Sequence, residues 1–392
     1  MKRVGFLINF NIFKWFGGTY LIKNLINCII KFSNNKIQPI IIVKKKLSKN
    51  EKKEFKNFKL LKTNFFHNQT LFDRVYNKFL ILIFGRSKTY DEFFLKHKIE
   101  ILSHSNALSN SIFLGKKSVI KSYPFLADLQ YLHYPQNFSL KNILLRKINI
   151  YMSALHSTKI IVSSNDVKND LEIVSKLASQ KAVVSPFVFL SPEKNEILKY
   201  SFLKTKFKLP SKYFYLPNQY WMHKNHKVVL NSLLYLKNKD KLKNIFIVSS
   251  GSKEEHRNTK YFYELKKFID ENKIYKYYKY LGTVSFKEVL SLIYHSVALI
   301  QPSKFEGRSS TVEQAKSMGK KIILSNIGIH KEQNPLRGKY FSTNNFIQLS
   351  NLLLQTLNKY DHNLEKKYIK YAARKSKENF YKYYKNYVDL IS

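Results

Sequence analysis

In the stretch PSKFEGRSSTVEQAKSMGKKIILSN, residues 302–326, two carboxylates flank a short polar loop. They are Glu306 and Glu313. Gly307 permits a tight turn beside the first. Ser309, Ser310 and Thr311 are small, so backbone amides at a helix start could face a phosphate there. A carboxylate next to a sugar ring or a ribose accepts two hydroxyl hydrogen bonds, which few other side chains do. Glu313 has a second reading: it stands three residues after Ser310, the spacing of a helix capping box. That reading leaves Glu306 unexplained.

Other residues offer weaker chemistry. Gly17-Gly18, in FKWFGGTY, lets backbone approach a ligand or sharpens a turn, but it is not a GxGxxG fingerprint. His104, in SHS, closes an apolar run. No Ser-His-acid triad is indicated by spacing. No Asp-x-Asp follows an early strand, and one cysteine excludes a disulfide framework or a Cys-rich metal site.

These residues need elements to hold them. VGFLINF (4–10), PIIIVKK (39–45), IEILSHS (99–105), KSVIKSY (117–123), KIIVSS (159–164) and KAVVSPF (181–187) read as buried parallel strands, because they are nearly continuous apolar runs. LIKNLINCIIKF has helical periodicity, and a helix opens near Asn165-Asp166. Residues 189–210 break the pattern and are expected to hold a linker and an entry helix. A second series follows: YFYLPNQ, KNIFIVSSG, VALIQPS and KIILSN as strands, with helices between. The expectation is α/β, two doubly wound Rossmann-like domains facing across a cleft. The domains are expected at 1–200 and 201–365, with a helical tail, 366–392, packing back toward the first.

The chain has 392 residues and a formal net charge of +43. Such a charge suits polyanions, either nucleic acid or an anionic membrane face. The abundance of Lys, Asn, Ile, Phe and Tyr also fits the coding bias of an AT-rich genome. No zinc-finger or RNP-like motif favours nucleic acid. The N-terminal MKRVGFLINF has the charged start and apolar run of a signal peptide, but the run is short and alternating, so a buried first strand is expected. No stretch is apolar over the roughly 18 residues that span a bilayer.

PSKFEG, VEQAKSMG and KKIILSN resemble the signature of the retaining GT-B glycosyltransferases of family 4. There two glutamates stand in P-S-x-x-E-G and E-A-x-x-x-G-x-P-V-V, with seven residues between them. Here six residues separate Glu306 from Glu313. With HKEQNP at 330–335, the chain resembles a subset of bacterial surface-polysaccharide enzymes with the shorter loop. YLPNQYWMHKNHK resembles the first strand, loop and helix of the donor domain. Lys224 matches the lysine that holds the diphosphate; Gln219 stands near the place of its arginine partner, and Asn218 is a further lining residue. FLADLQYLHYPQNFS resembles D-x-Q-x-x-H-x-P-x-x-F, with Asp128, Gln130 and His133 in place. YLGTV resembles the run whose backbone reads the nucleobase, through Leu281, Gly282 and Val284; Gly251 belongs to the same rim. An ordinary turn into a helix capped by Ser285 and Glu288 explains that segment equally well.

The resemblance implies a hexosyltransferase using a UDP- or GDP-sugar, without metal or other cofactor. Lys224, Glu306 and His133 would be catalytic. Glu313, Arg308, Ser309, Ser310, Thr311 and the two glycine sites would bind donor. His104, Asp128 and Gln130 would face or orient toward the acceptor. The acceptor would be a glycan or lipid-linked glycan, and the protein cytoplasmic, resting on the inner membrane face. An epimerase or phosphorylase of the same architecture, or a basic nucleic-acid binder, is the alternative.

Overall fold

The structure, a computed structural model, describes all residues except 13–15, 109–110 and 255–257, with only the backbone at Phe16 and Leu71. It divides into two compact units: Met1–Phe187 with Tyr381–Ser392, and Val188–Phe380.

Among the described residues, the first unit carries a seven-stranded sheet. Its strands are β1 (Lys2–Leu7), β2 (Ile37–Val43), β3 (Leu60–Lys62), β4 (Ile101–Asn106), β5 (Lys121–Leu126), β6 (Ile160–Val162) and β7 (Ala182–Val184). The order is β3-β2-β1-β4-β5-β6-β7, and the paired strands are parallel. Both faces are covered, so the central strands are buried along their length, as their apolar runs require. β5 begins four residues later than the run KSVIKSY suggests, because Lys117 and Ser118 are held in a turn by Gly85 and Gly115.

The second unit repeats the plan with β8 (Phe214–Leu216), β9 (Ile247–Ser249), β10 (Tyr278–Tyr280), β11 (Ala298–Gln301), β12 (Ile322–Ser325) and β13 (Gly338–Phe341). Its order is β10-β9-β8-β11-β12-β13, again parallel. Each unit is thus an α/β Rossmann-like domain. Chain order reverses between β1 and β4 in one sheet, and between β8 and β11 in the other. Ligands of such sheets bind beyond the carboxyl ends of the strands at that reversal.

Gly17 and Gly18 do not form the expected turn. They lie in the first turn of the helix Phe16–Phe32, and neither has a left-handed φ. A Cβ on Gly17 would meet nothing within 4 Å, so no close approach demands glycine there. The rest of the expected turn, residues 13–15, lies outside the described residues. The long helix His362–Ile391 is divided, its last turns counting with the first unit.

Candidate active site in the second unit

The loops after β8 and β11 leave the second sheet at its reversal, and they are tied to each other. The amide of Lys304 donates to the carbonyl of His223 at 2.7 Å. Asn225 has a left-handed φ of 57° and ends the short turn Met222–Lys224. Its Nδ2 donates to the carbonyls of Pro302 (3.1 Å) and Thr343 (2.8 Å). An asparagine tolerates that backbone and supplies the two donors, so it fixes one loop against the other.

This tie places Lys224 beside Glu306. Lys224 Nζ donates to Glu306 Oε1 at 2.7 Å, and the two side chains are 15% and 10% exposed. Gln301 Nε2 (2.8 Å) and Ser303 Oγ (2.7 Å) donate to the same oxygen. Burial pushes the Glu306 carboxyl up, but Lys224, His223 and Ser303 outweigh it and hold the group below the usual carboxylate range. Glu306 is therefore an anion at neutral pH.

Glu313 has a separate set of partners. Arg308 Nη2 donates to Glu313 Oε1 at 2.6 Å, and Gln333 Nε2 donates to it at 3.0 Å. Lys316 Nζ lies 3.2 Å from the same carboxylate. The capping-box reading of Glu313 fails on register. The helix is Ser310–Ser317, its N-cap is Ser309, and the Ser309 hydroxyl accepts from Val312. Glu313 thus falls one position past the capping-box partner, and its carboxylate turns to the cations.

HKEQNP closes the loop from the other side. Gln333 Nε2 also donates to the Ser309 carbonyl at 2.9 Å, Lys316 donates to the Gln333 carbonyl, and Glu332 lies 3.7 Å from Arg308. His330 is fully buried and its Nδ1 meets Ser325. Burial holds His330 below its ordinary range, despite the pull of Glu306. Gln301, Ser303, Lys316 and Gln333 were not singled out in the sequence. The signal was present for Gln333, inside a motif, but not its target.

Buried polar atoms here remain open. Nδ2 of Asn218, Oε1 of Gln301 and Nε2 of His330 have no protein partner. Buried polar groups ordinarily have one, so these are places for a ligand or water to donate and accept. Ser310 and Thr311 are half-buried at the helix start.

The rim follows β8–β10. Gly251 has φ of 147°, and a Cβ there would lie 2.3 Å from the Asn218 carbonyl oxygen, so only glycine fits. Its amide donates to Gly282, and Leu281 donates to Ser249. Gln219 and Val284 are half-buried beside them. Ser285 and Glu288 do form a capping box.

The first unit holds the remaining candidates. His133 Nε2 meets Asp170 Oδ2 at 2.8 Å, and His133 is 43% exposed. Asp128 accepts from the Gln130 amide at 3.1 Å, shaping the turn that presents His133. His104 is different: it is 6% exposed, with φ of 55° at an irregularity of β4. Its Nδ1 meets Ser103 Oγ, and its ring stacks on Phe125. Burial pulls its pKa down to about 3. A pocket of about 320 Å³ in this unit is lined by Asn9, His67, Arg74, Lys78, Tyr90 and Asn149, among others. Among the described residues no group of three or more metal-ligating side chains occurs.

Residues 202–375 match the family model of glycosyl transferases group 1. That span lies within the second unit and contains the Lys224, Glu306 and Glu313 cluster. The whole chain shares its fold with solved glycosyltransferases of the GT-B kind. One, from Rickettsia africae, has a TM-score of 0.69 at 19% identity, covering 99% of this chain and 97% of that one. Anabaena Alr3699/HepE, solved with UDP and glucose, has a TM-score of 0.69 at 12% identity, covering 100% and 99%. WaaG, a glycosyltransferase of lipopolysaccharide biosynthesis, has 0.62 at 11%, covering 99% of each. No curated protein matches the chain in sequence. The group 1 match supports a transferase, and the neighbours show the fold.

Proposed function

We propose that the chain is a retaining glycosyltransferase that moves a sugar from a UDP- or GDP-sugar to a hydroxyl of a glycan or lipid-linked glycan in surface-polysaccharide synthesis. The observation that carries the reading is the Lys224–Glu306 pair at the reversal of the second sheet, next to the Ser310 helix start and the Arg308–Glu313 pair. HepE, solved with UDP-glucose, supports a nucleotide-sugar donor, and WaaG supports a surface-glycan role.

In this reading Lys224 exchanges Glu306 for the diphosphate as the donor enters. It then offsets the negative charge that builds on the leaving group, helped by amides at Ser310 and Thr311. Freed from Lys224, Glu306 accepts hydroxyls of the hexose. Glu313 keeps Arg308 and accepts from the ribose, since a carboxylate has about four acceptor sites. Leu281, Gly282 and Val284 face the base. His133 is assigned to the transfer step, and the first unit to the acceptor. The leaving phosphate takes the acceptor proton, in a front-face transfer. Attraction of the basic chain to an anionic membrane face would bring it to a lipid-linked acceptor at the cytoplasmic side.

A donor panel read by release of nucleoside diphosphate tests this without knowing the acceptor. Release from one UDP- or GDP-sugar, with calorimetric binding of the matching diphosphate, is the expected result. Conversion of the sugar without release would replace transfer by epimerisation. Activity is expected to survive EDTA, because Lys224 and the helix amides supply the positive charge. Loss on chelation, restored by magnesium or manganese, would overturn the metal-free form.

A further inference from the structure

The helix Leu71–Phe84 is amphipathic the wrong way round. Asn77 and Ile81 face the protein; Asn77 bonds Ser87 and the carbonyl of Asp73. Phe72, Val75, Tyr76, Phe79, Leu82 and Ile83 follow the i, i+3, i+4, i+7 rhythm on the opposite side. They are exposed, Phe72 by 75% and Leu82 by 65%. Fourteen residues span about 21 Å, so this is an apolar stripe the length of the helix. Soluble surfaces seldom leave such a stripe bare.

Charge says what covers it. Arg74 and Lys78 lie along one flank of the stripe, at the mouth of the pocket they line, and Arg86, Lys88 and Lys117 follow its carboxyl end, Lys88 3.8 Å from Glu92 and the Lys117 amide bonding the Gly85 carbonyl. The helix's own acid, Asp73, is turned back into a capping box with Thr70. The helix Leu140–His156, which shares the pocket with Arg74 and Lys78 through Asn149, also exposes Leu140, Leu144 and Tyr151. An apolar face bordered by cations is the pattern of a helix lying in a lipid headgroup layer. A second copy is a poorer occupant, since a two-fold pairing would oppose the same cations in a chain of net charge +43.

We propose that the outward stripe of Leu71–Phe84 inserts into the interface of an anionic lipid bilayer, with Arg74 and Lys78 at the headgroups. This locates the membrane contact put forward above, but its test needs no nucleotide sugar, so either reading can fail alone.

The test is flotation of the full chain with vesicles of phosphatidylcholine, alone or mixed with phosphatidylglycerol. The parent is expected to float with the mixed vesicles. Phe79→Glu/Leu82→Glu should weaken that binding by about tenfold or more, with an unchanged melting temperature, since both side chains are exposed. Phe79→Trp should give a blue-shifted emission change on the mixed vesicles. Arg74→Gln/Lys78→Gln should weaken binding at low salt and hardly at high salt. Equal flotation of parent and Phe79→Glu/Leu82→Glu would overturn the proposal. So would a parent dimer in ultracentrifugation that the double variant splits while neither protein floats.

Discussion

Two buried carboxylate clusters of the second unit are built differently. Around Glu365, Arg337 donates through both terminal nitrogens, and Lys320 and Lys321 lie within 3.7 Å and 3.5 Å. Arg337 also stacks over Tyr368 and bonds the Gly319 carbonyl. These partners join the long helix to the segments that lead into β12 and β13, and none of the side-chain polar atoms of Glu365, Arg337 or Lys320 is left without a partner. Around Glu306 and Glu313 three cations, Lys224, Arg308 and Lys316, serve two carboxylates, one on the loop after β11 and one in the first turn of the helix that follows, and polar atoms of Asn218, Gln301 and His330 have no protein partner. Buried ion pairs are weak indicators of function by themselves. Unpartnered polar atoms beside such pairs, at a sheet reversal, are what separates the proposed binding cluster from the one around Glu365.

Glu365→Gln gives the sharpest break. It leaves Arg337 and Lys320 buried without their counter-charge, which costs about 3–5 kcal/mol. Chemical denaturation should show that loss, while diphosphate affinity of the folded fraction stays the same. An equal loss of affinity would merge the two clusters into one functional unit.

Glu313→Gln comes next. A bond to a charged acceptor contributes about 1.5–3 kcal/mol, so calorimetric affinity for the nucleoside diphosphate should fall tenfold or more. Glu306→Gln should not weaken that affinity, since it removes the partner Lys224 must leave, but should slow transfer. Lys224→Ala should weaken diphosphate binding and slow transfer, with native circular dichroism. Parent-like behaviour of Glu306→Gln would move that carboxylate out of the reaction.

Acid separates buried charge from buried neutrality. His104 and His226 are held near 3 by burial, against an ordinary 6.5. Their unfolded forms bind protons first as pH falls, so stability is intact above about 6.5 and declines toward 3, by about 1.4 kcal/mol per pH unit for each histidine. His104→Asn accepts the left-handed backbone and should flatten that decline by one proton. An unchanged slope would mean that His104 titrates normally.

The smallest effect is expected at the rim. Ser285→Ala removes a capping hydroxyl and should cost about 1 kcal/mol, read by thermal melting, with diphosphate affinity unchanged. A drop in affinity would make the YLGTV segment a reader of the base through its cap as well as its backbone.

Much of this protein was legible in its residues. Continuous apolar runs predicted parallel strands, because a strand covered on both faces has no polar side to show. Loops rich in small residues after those runs marked the carboxyl ends, and Glu306, Lys224 and the HKEQNP motif were found there. The short strands β3, β10 and β13 gave too few apolar residues to announce themselves. Gly17-Gly18 misled, since a glycine pair signals permission for a turn and a helix can use the same backbone. Register decided Glu313: whether Ser309 or Ser310 caps is a matter of one hydrogen bond, which composition does not express. Glu365 met Arg337 and Lys320 only through long-range packing. The helix Leu71–Phe84 shows the division most plainly. Its periodicity is written in the chain, but a stripe of Phe, Val, Tyr and Leu reads alike whether it faces core or solvent. Only the tertiary structure, by burying Asn77 and Ile81 instead, turned that stripe outward.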